Sequence, residues 1–494
     1  MKGRQESKKH GVGAAALWLT LPLLVLIVLK TDFLASFSET RFTNFAGQMV
    51  HKVSSFGLDG ARWQQKPLDV AKSEAVREYN QQNQVLATNG PKDESLINSD
   101  VSAPTISQLH CNFSNYHSDT CTMQGDVRIH GRAAMVYVVS ATTYMPDNST
   151  IRVHPYARKW EKETMSQVRE VTMRSSPPHA IDIIPPPCTA RHDVPAVVFS
   201  TGVYSGNYYH SMSDVIVPLF ITAREYDGRV QLLVTGYDPK WVAKYRPILA
   251  ALSVFPVIDF DNDTDVRCFP AAHVGLESHR ILGVDPARSR NGYTMMAFRD
   301  FLRSTFSLPR PWATPVSRSS GRKPRLVMVL RRHSRALTNE EDAVAAVAEL
   351  GFEVVAALPE DVKDMEKFAG VVNSCDVMVG VHGAGLTNMV FLPHNGTLVQ
   401  IIPWGAMKWP CWYDFGEPAP GMGLRYVEYE ATAEETTLKE EYPKDHPVFT
   451  DPLSIHRKGF GEIWRTFLNG QNVTLDIDRF RGAMQQVYQS ITIE

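Results

Sequence analysis

Apolar and polar positions divide the chain into three regimes. Residues 11–29 (GVGAAALWLTLPLLVLIVL) are uncharged and mostly apolar, residues 30–106 are polar and weakly periodic, and from about Cys111 short apolar runs alternate with amphipathic stretches. In the last regime, segments 127–139 and 151–156 alternate with period two and predict hairpins. After the break at Pro185-Pro186-Pro187, runs 196–201, 230–235 and 257–260 predict strands, and 208–226, 239–252 and 294–306 predict helices. A Pro-, Ser- and Arg-rich stretch, 309–324, has linker composition. Beyond it, strands are expected at 326–330, 352–357, 376–381 and 397–402. A helix opens on a Thr338/Glu341 capping box and runs to Leu350, and another covers 362–372. Residues 475–490 predict a last helix that packs back on the first lobe. Strands alternating with helices predict parallel sheets, hence an α/β chain with two Rossmann-like lobes.

At 1.5 Å per residue the 19-residue apolar run spans about 28 Å, close to the ~30 Å hydrocarbon core of a bilayer. Lys2, Arg4, Lys8 and Lys9 precede it and hold the short tail in the cytosol. The expected division is a cytosolic tail (1–10), a transmembrane anchor (11–29) and a stem (30–106). There follow a first lobe (107–308), a linker (309–324), a second lobe (325–474) and a C-terminal helix (475–494). A cleaved signal peptide is the competing reading, but its apolar core is usually shorter. Sequons at Asn112, Asn148, Asn262, Asn395 and Asn472 and an even count of six cysteines suit a lumenal, oxidising compartment. Cys111 and Cys121 are the disulfide candidate.

Composition removes several classes. With 51 Lys+Arg against 53 Asp+Glu, the chain lacks the basic excess of a nucleic-acid binder. At 44% hydrophobic and 21% charged it is not a mostly disordered chain. No G-x-x-x-x-G-K-S/T, G-x-G-x-x-G or G-x-S-x-G is present, which argues against a P-loop ATPase, a dinucleotide oxidoreductase and a serine hydrolase.

Chemistry is expected beyond the carboxyl ends of strands. Arg331, Arg332, His333 and Arg335 follow one strand, and His382-Gly383-Ala384-Gly385-Leu386-Thr387-Asn388 follows another. Glycines admit a ligand close to the backbone, a helix starting at Leu386 would offer free N–H groups, and arginines grip phosphate oxygens. Together they predict a diphosphate site. In the first lobe His210 and Asp214, at i and i+4 on a helix, suit general-base work. Asp259, Asp261, Asp263 and Asp265 form an acidic loop read as solvated rather than metal-binding. Trp404, Lys408 and Trp412 are candidates to shape a sugar pocket or simply to pack.

The stretches NYYHSMSDVIVPLF (207–220), VLRRHSRALTNEE (329–341) and VGVHGAGLTNMVFLP (379–393), with LVQIIP (398–403), resemble glycosyltransferase family 61. That family includes plant xylan pentosyltransferases, and the likeness covers most of residues 107–490, nearest to the grass xylan-modifying branch. It implies a GT-B-like fold behind an N-terminal transmembrane helix and stem, a type II Golgi location and inversion at the anomeric carbon. The implied donor is UDP-arabinofuranose, with UDP-xylose the alternative, and the implied acceptor is xylan. By position, Arg331 and Arg335 would contact the diphosphate, and His382, Gly383, Ala384, Gly385 and Asn388 would line the nucleotide site. Asn207, His210 and Asp214 would face the acceptor, with Asp214 favoured as base and the two roles exchangeable. The resemblance implies no resident cofactor and metal-independent transfer. A β-1,2-xylosyltransferase on xylan or N-glycan is the alternative activity. An inactive membrane-tethered scaffold is the alternative of another class, and the sequence leaves homo- and hetero-oligomers open.

Overall fold

The computed structural model describes residues 107–139, 150–176 and 184–493. The tail, anchor and stem expected from the sequence, and Asn148, lie outside them. Among the described residues no helix is long and apolar enough to cross a membrane.

The first half builds one ten-stranded sheet. Its strands are β1 (Gln108–Asn112), β2 (Thr120–His130), β3 (Met135–Val139), β4 (Thr150–Val153), β5 (Val171–Ser176), β6 (Ala190–Arg191), β7 (Ala196–Ser200), β8 (Gln231–Thr235), β9 (Ile258–Asp259) and β10 (Val266–Val274). Helix α1 runs through Tyr208–His210, Ser211–Ile216 and Val217–Ala223, α2 is Pro239–Leu252 and α3 is Met295–Thr305. The order is β4-β5-β3-β2-β10-β7-β8-β9. β10, β7, β8 and β9 pair in parallel, but β2 is antiparallel to both β3 and β10. The expectation of a Rossmann-like first lobe therefore holds for one side of a mixed sheet. Burial explains the division: β7 and β8 are buried at every position, as strands covered on both faces are, whereas β3 alternates.

β10 was not legible in the sequence because Pro270 sits inside it. The proline falls at a register shift between Phe269 and Ala271, where no ladder hydrogen bond is lost. A second disulfide, Cys188–Cys268, ties this strand to the segment before β6, besides Cys111–Cys121 between β1 and β2.

The second half is an all-parallel sheet of β12 (Arg325–Val329), β13 (Glu353–Ala357), β14 (Val377–Val381), β15 (Thr397–Ile402) and β16 (Arg425–Glu430), in the order β13-β12-β14-β15-β16. Helices α4 (Glu340–Glu349), α5 (Met365–Ser374) and α6 (Ile477–Ile491) pack on it. β16 adds a fifth strand to the four expected; its sequence, RYVEYE, is a half-buried, charged edge strand. Within the linker, β11 (Val316–Ser317) pairs with β17 (Thr492–Ile493).

Two local expectations fail. The Thr338/Glu341 capping box does not form: Asn339 precedes α4, and the Thr338 hydroxyl meets that of Thr474 at 2.6 Å. The terminal helix does not return to the first lobe. Phe480, Met484 and Val487 of α6 join Ala343, Val347 and Phe352 in the core of the second.

The halves share one apolar cluster, with Phe220 and Phe298 joining Val329, Phe368 and Leu386. Arg299 on α3 crosses between them, donating to the carbonyls of Val390, Leu392 and Met422. In each half the strand order reverses once, between β7 and β10 and between β12 and β14. A crevice at the carboxyl ends of strands is expected at such points.

Candidate active site

The loop after β7 leads into α1, where Asn207 caps the first turn by accepting from the Tyr209 N–H at 3.0 Å. Asn207 is thus a helix cap at the site's edge. His210 closes the first turn, and the next six residues are π-helical, a widening that often marks functional positions. Asp214 lies in this stretch, only 2% exposed. Its carboxylate accepts from Tyr156 Oη (2.8 Å), Ser213 Oγ (2.6 Å), Arg158 Nη1 (3.2 and 3.3 Å) and His210 Nδ1 (3.0 Å). Burial works against its charge, but Arg158 and His210 outweigh it and hold the carboxyl well below the ordinary carboxylate range.

The sequence reading favoured Asp214 as the base. The structure instead commits both its oxygens to protein donors. Beside it, His210 turns Nδ1 to Asp214, so Nε2 is the nitrogen not engaged by the carboxylate, on a side chain one-fifth exposed. Arg158 Nη1 also lies 3.1 Å from Nδ1, but two donors cannot bond, and the carboxylate fixes Nδ1 as the protonated nitrogen. Tyr204 stacks on the imidazole at 4.6 Å. Arg158 is itself buried between Asp214 and Glu161. Tyr156, Arg158 and Glu161 escaped the sequence reading, since HPYARKWEKE shows only an unremarkable charged loop.

In the second half, Arg331 and Arg335 lie beyond β12 and His382–Gly385 beyond β14, at the second switch point. Gly383 has φ +151°, and a Cβ there would stand 2.3 Å from Arg331 Nη1, so the guanidinium rests against bare backbone. Arg331 Nε donates to Ser334 O (2.7 Å) and Arg335 Nη1 to His382 O (3.2 Å). Arg335 is 7% exposed, left-handed at φ 54°, and its buried Nε has no partner. Among the described residues neither arginine meets a carboxylate, whereas Arg332 pairs with Glu340 at 2.6 Å. Burial, then the neighbouring Arg331, pushes Arg335 down to about 9. A buried cation, Arg335, beside a half-buried one, Arg331, with no carboxylate on either among the described residues, is an arrangement suited to an anion.

Residues 384–391 form a 3-10 helix rather than an α-helix starting at Leu386. Asn388 is buried, and its amide braces the bend by donating to Gly385 O at 2.9 Å. His382 accepts at Nδ1 from Gln400 Nε2 (2.8 Å), which places its proton on Nε2. Burial, then Arg335 and Arg331, push its pKa down to about 3, so the ring is neutral.

The two clusters meet at a residue the sequence did not single out. Tyr209 Oη donates to Asp414 Oδ1 at 2.9 Å, and Asp414 Oδ2 faces His382 Nε2 at 3.8 Å. Asp414 lies in a second π-helical stretch, Trp412–Gly416. Trp404, Lys408 and Trp412, named from the same region, do other things. Trp404 Nε1 donates to Val448 O (3.0 Å), Lys408 pairs with Glu428 (3.2 Å), and Trp412 is 38% exposed.

The acidic loop is tied into the fold. Asp261 accepts from Arg169 (2.6 Å) and Thr235 (2.8 Å), Asp263 and Asp265 pair with Arg267, and Asp259 accepts from Asn262 Nδ2 (2.8 Å). The metal-like grouping found among the described residues, Asp126 with Cys188 and Cys268, contains the second disulfide. Of the sequons, Asn112 and Asn262 are exposed, while Asn395 and Asn472 are half-buried and hydrogen-bonded to Ala313 and Ala336.

Comparison with known proteins separates family from substrate. The pattern of Glycosyltransferase 61 matches residues 208–399, which include α1, both arginines and the glycine bend. A β-1,2-xylosyltransferase of Oryza sativa subsp. japonica is 42% identical over 388 residues, 76% of this chain and 82% of that protein. The chain belongs to glycosyltransferase family 61. An α-1,3-arabinosyltransferase of the same organism is also 42% identical, over 386 residues and 77% of this chain. The chain spans 64% of that relative's length. A xylan glycosyltransferase of Arabidopsis thaliana is 34% identical over 80% of this chain and 83% of its own. Family-61 members with different sugars in their names thus match equally well, and overall similarity does not separate the sugars.

Proposed function

We propose that the protein is an inverting glycosyltransferase that moves a pentose from a UDP-sugar to a backbone xylose of xylan. The observation that carries this is the pair Arg331 and Arg335, which meet no carboxylate among the described residues, Arg331 resting against Gly383 and Arg335 on the His382 carbonyl. The diphosphate supplies the missing acceptors, each charged hydrogen bond being worth about 1.5–3 kcal/mol. His210 Nε2 takes the proton of an acceptor hydroxyl as its oxygen attacks the anomeric carbon. The bond from that carbon to the diphosphate oxygen breaks on the opposite face, inverting the centre. Asp214 stabilises the imidazolium, and the arginines stabilise the departing UDP. Because the arginines and the bend supply the positive field, transfer without a metal is part of the proposal.

Arabinofuranose is the favoured sugar, in line with the arabinosyltransferase relative. β-1,2-Xylosyl transfer, to xylan or an N-glycan, is the second reading, favoured by the xylosyltransferase matched at the same identity over more of its length. The apolar run 11–29 and the sequons support a type II Golgi protein with a lumenal catalytic part. The test is donor profiling of purified protein with UDP-arabinofuranose and UDP-xylose on xylo-oligosaccharides, with linkage analysis. A folded protein that binds UDP but transfers neither sugar would sink the enzyme reading in favour of a tethered scaffold. The scaffold predicts that Arg331→Ala, and Asp214→Ala where that variant still folds, leave the activity of its complex unchanged.

A further inference from the structure

Among the described residues, Asp414 stands between the two clusters with two oxygens that differ in what they have left to do. Oδ1 is held by the Tyr209 hydroxyl, while Oδ2 has only His382 Nε2 near it, at 3.8 Å. That separation is too long for a hydrogen bond, and about a third of the Asp414 side chain is accessible. The network behind His382 sets what it offers. Tyr426 Oη donates to Gln400 Oε1 (2.5 Å), turning the Gln400 amide to His382 Nδ1, so Nε2–H points outward as a donor. A donor and an acceptor thus stand side by side, unsatisfied by each other, next to the arginine loop, whose Arg335 donates to the His382 carbonyl. A hydroxyl both donates and accepts, and it completes both groups at once.

We propose that Asp414 and His382 form the subsite that holds a hydroxyl of the transferred sugar: the hydroxyl donates to Asp414 Oδ2 and accepts from His382 Nε2–H. The subsite rests on the glycosyltransferase reading and adds the residues that read the sugar as distinct from the nucleotide. The groups around Asp414 fit the part. Tyr209 and His210 of α1, with Arg158 and Asp214, face it from the first half, and His382 faces it from β14. Burial raises its pKa to about 6, with Tyr209, His210 and Arg158 opposing the rise, so it is ionised and accepting at neutral pH. Since Tyr209 belongs to the helix that carries His210, the sugar subsite is oriented by the acceptor side of the cleft.

The experiment measures binding by the full-length protein at pH 7.5 of UDP and of UDP-xylose or UDP-arabinofuranose, whichever binds tighter. Asp414→Asn keeps UDP affinity within about twofold and weakens the UDP-sugar at least tenfold. Tyr209→Phe, a milder change, weakens the UDP-sugar several-fold and leaves UDP alone. In the wild type, one mono-deoxyfluoro analogue of the sugar loses at least tenfold, because fluorine cannot donate, and Asp414→Asn does not distinguish that analogue from its parent. Equal loss of UDP and UDP-sugar in Asp414→Asn overturns the subsite, as does no loss of either. If that variant does not fold, the wild type decides: equal binding of every deoxyfluoro analogue and the parent overturns it. A wild type that binds no UDP would instead remove the reading beneath it.

Discussion

The walls of the cleft treat buried charge in opposite ways. On the first-half wall Asp214 is surrounded by Tyr156, Ser213, Arg158 and His210, and Arg158 is passed on to Glu161. On the second-half wall Arg331 and Arg335 are side by side with carbonyls for company and no carboxylate among the described residues. A buried ion whose partners are all supplied by the fold is scaffold, and removing one partner leaves the other stranded. A buried ion without a counter-charge carries an uncompensated desolvation cost, which a bound anion would offset. The same chain therefore carries a buried charge that the fold pairs internally and one that, in the proposed reading, a ligand pairs.

The sharpest break of this contrast is Asp214→Ala. It strands Arg158 beside Glu161 alone and should lower stability by about 3–5 kcal/mol in chemical or thermal unfolding; an unaltered midpoint would mean the cage is not structural. His210→Ala comes next: on the proposed mechanism kcat falls roughly 10²–10⁴-fold while UDP affinity is kept, because the ring is assigned to the proton and not to the nucleotide. Arg335→Ala and Arg331→Ala should behave inversely to Asp214→Ala. Each loses about 1.5–3 kcal/mol of UDP binding by calorimetry, with stability unchanged or raised because an uncompensated charge has gone. Gly383→Ala sets a methyl into Arg331 and strains a backbone that only glycine adopts freely, costing about 1–3 kcal/mol, and its UDP affinity should fall with it.

The smallest effect is acid sensitivity. The folded pKa of Asp214 lies below the unfolded value of about 3.9. Its contribution to stability is therefore complete above that value and is lost as pH falls toward the folded pKa. The wild type should lose stability below about pH 4 more steeply than Asp214→Asn. Parallel curves would show that the cage does not hold the proton off.

The arginine loop and the glycine bend were legible because their chemistry is local: each follows a short apolar strand, and HGAG needs no partner to be noticed. His210 and Asp214 were legible as a pair for the same reason, four residues apart on a helix. Their division of labour was not, because Arg158 and Tyr156 reach Asp214 from 56 and 58 residues away. Asp414 was hidden more completely, since its partner Tyr209 is 205 residues distant and its own surroundings, WPCWYDFG, carry no motif. β10 was masked by a proline whose cost a bulge removes, and α6 by a choice of lobe that its apolar stripe alone cannot make.

The sequence by itself determined the parallel second sheet, the two loops at its switch point and the family, because period and spacing are properties of neighbours along the chain. Only the tertiary structure decided which carboxylate is caged, which arginines are left without a counter-charge and which acid faces the cleft. Burial and pairing depend on residues that meet only after the chain has folded.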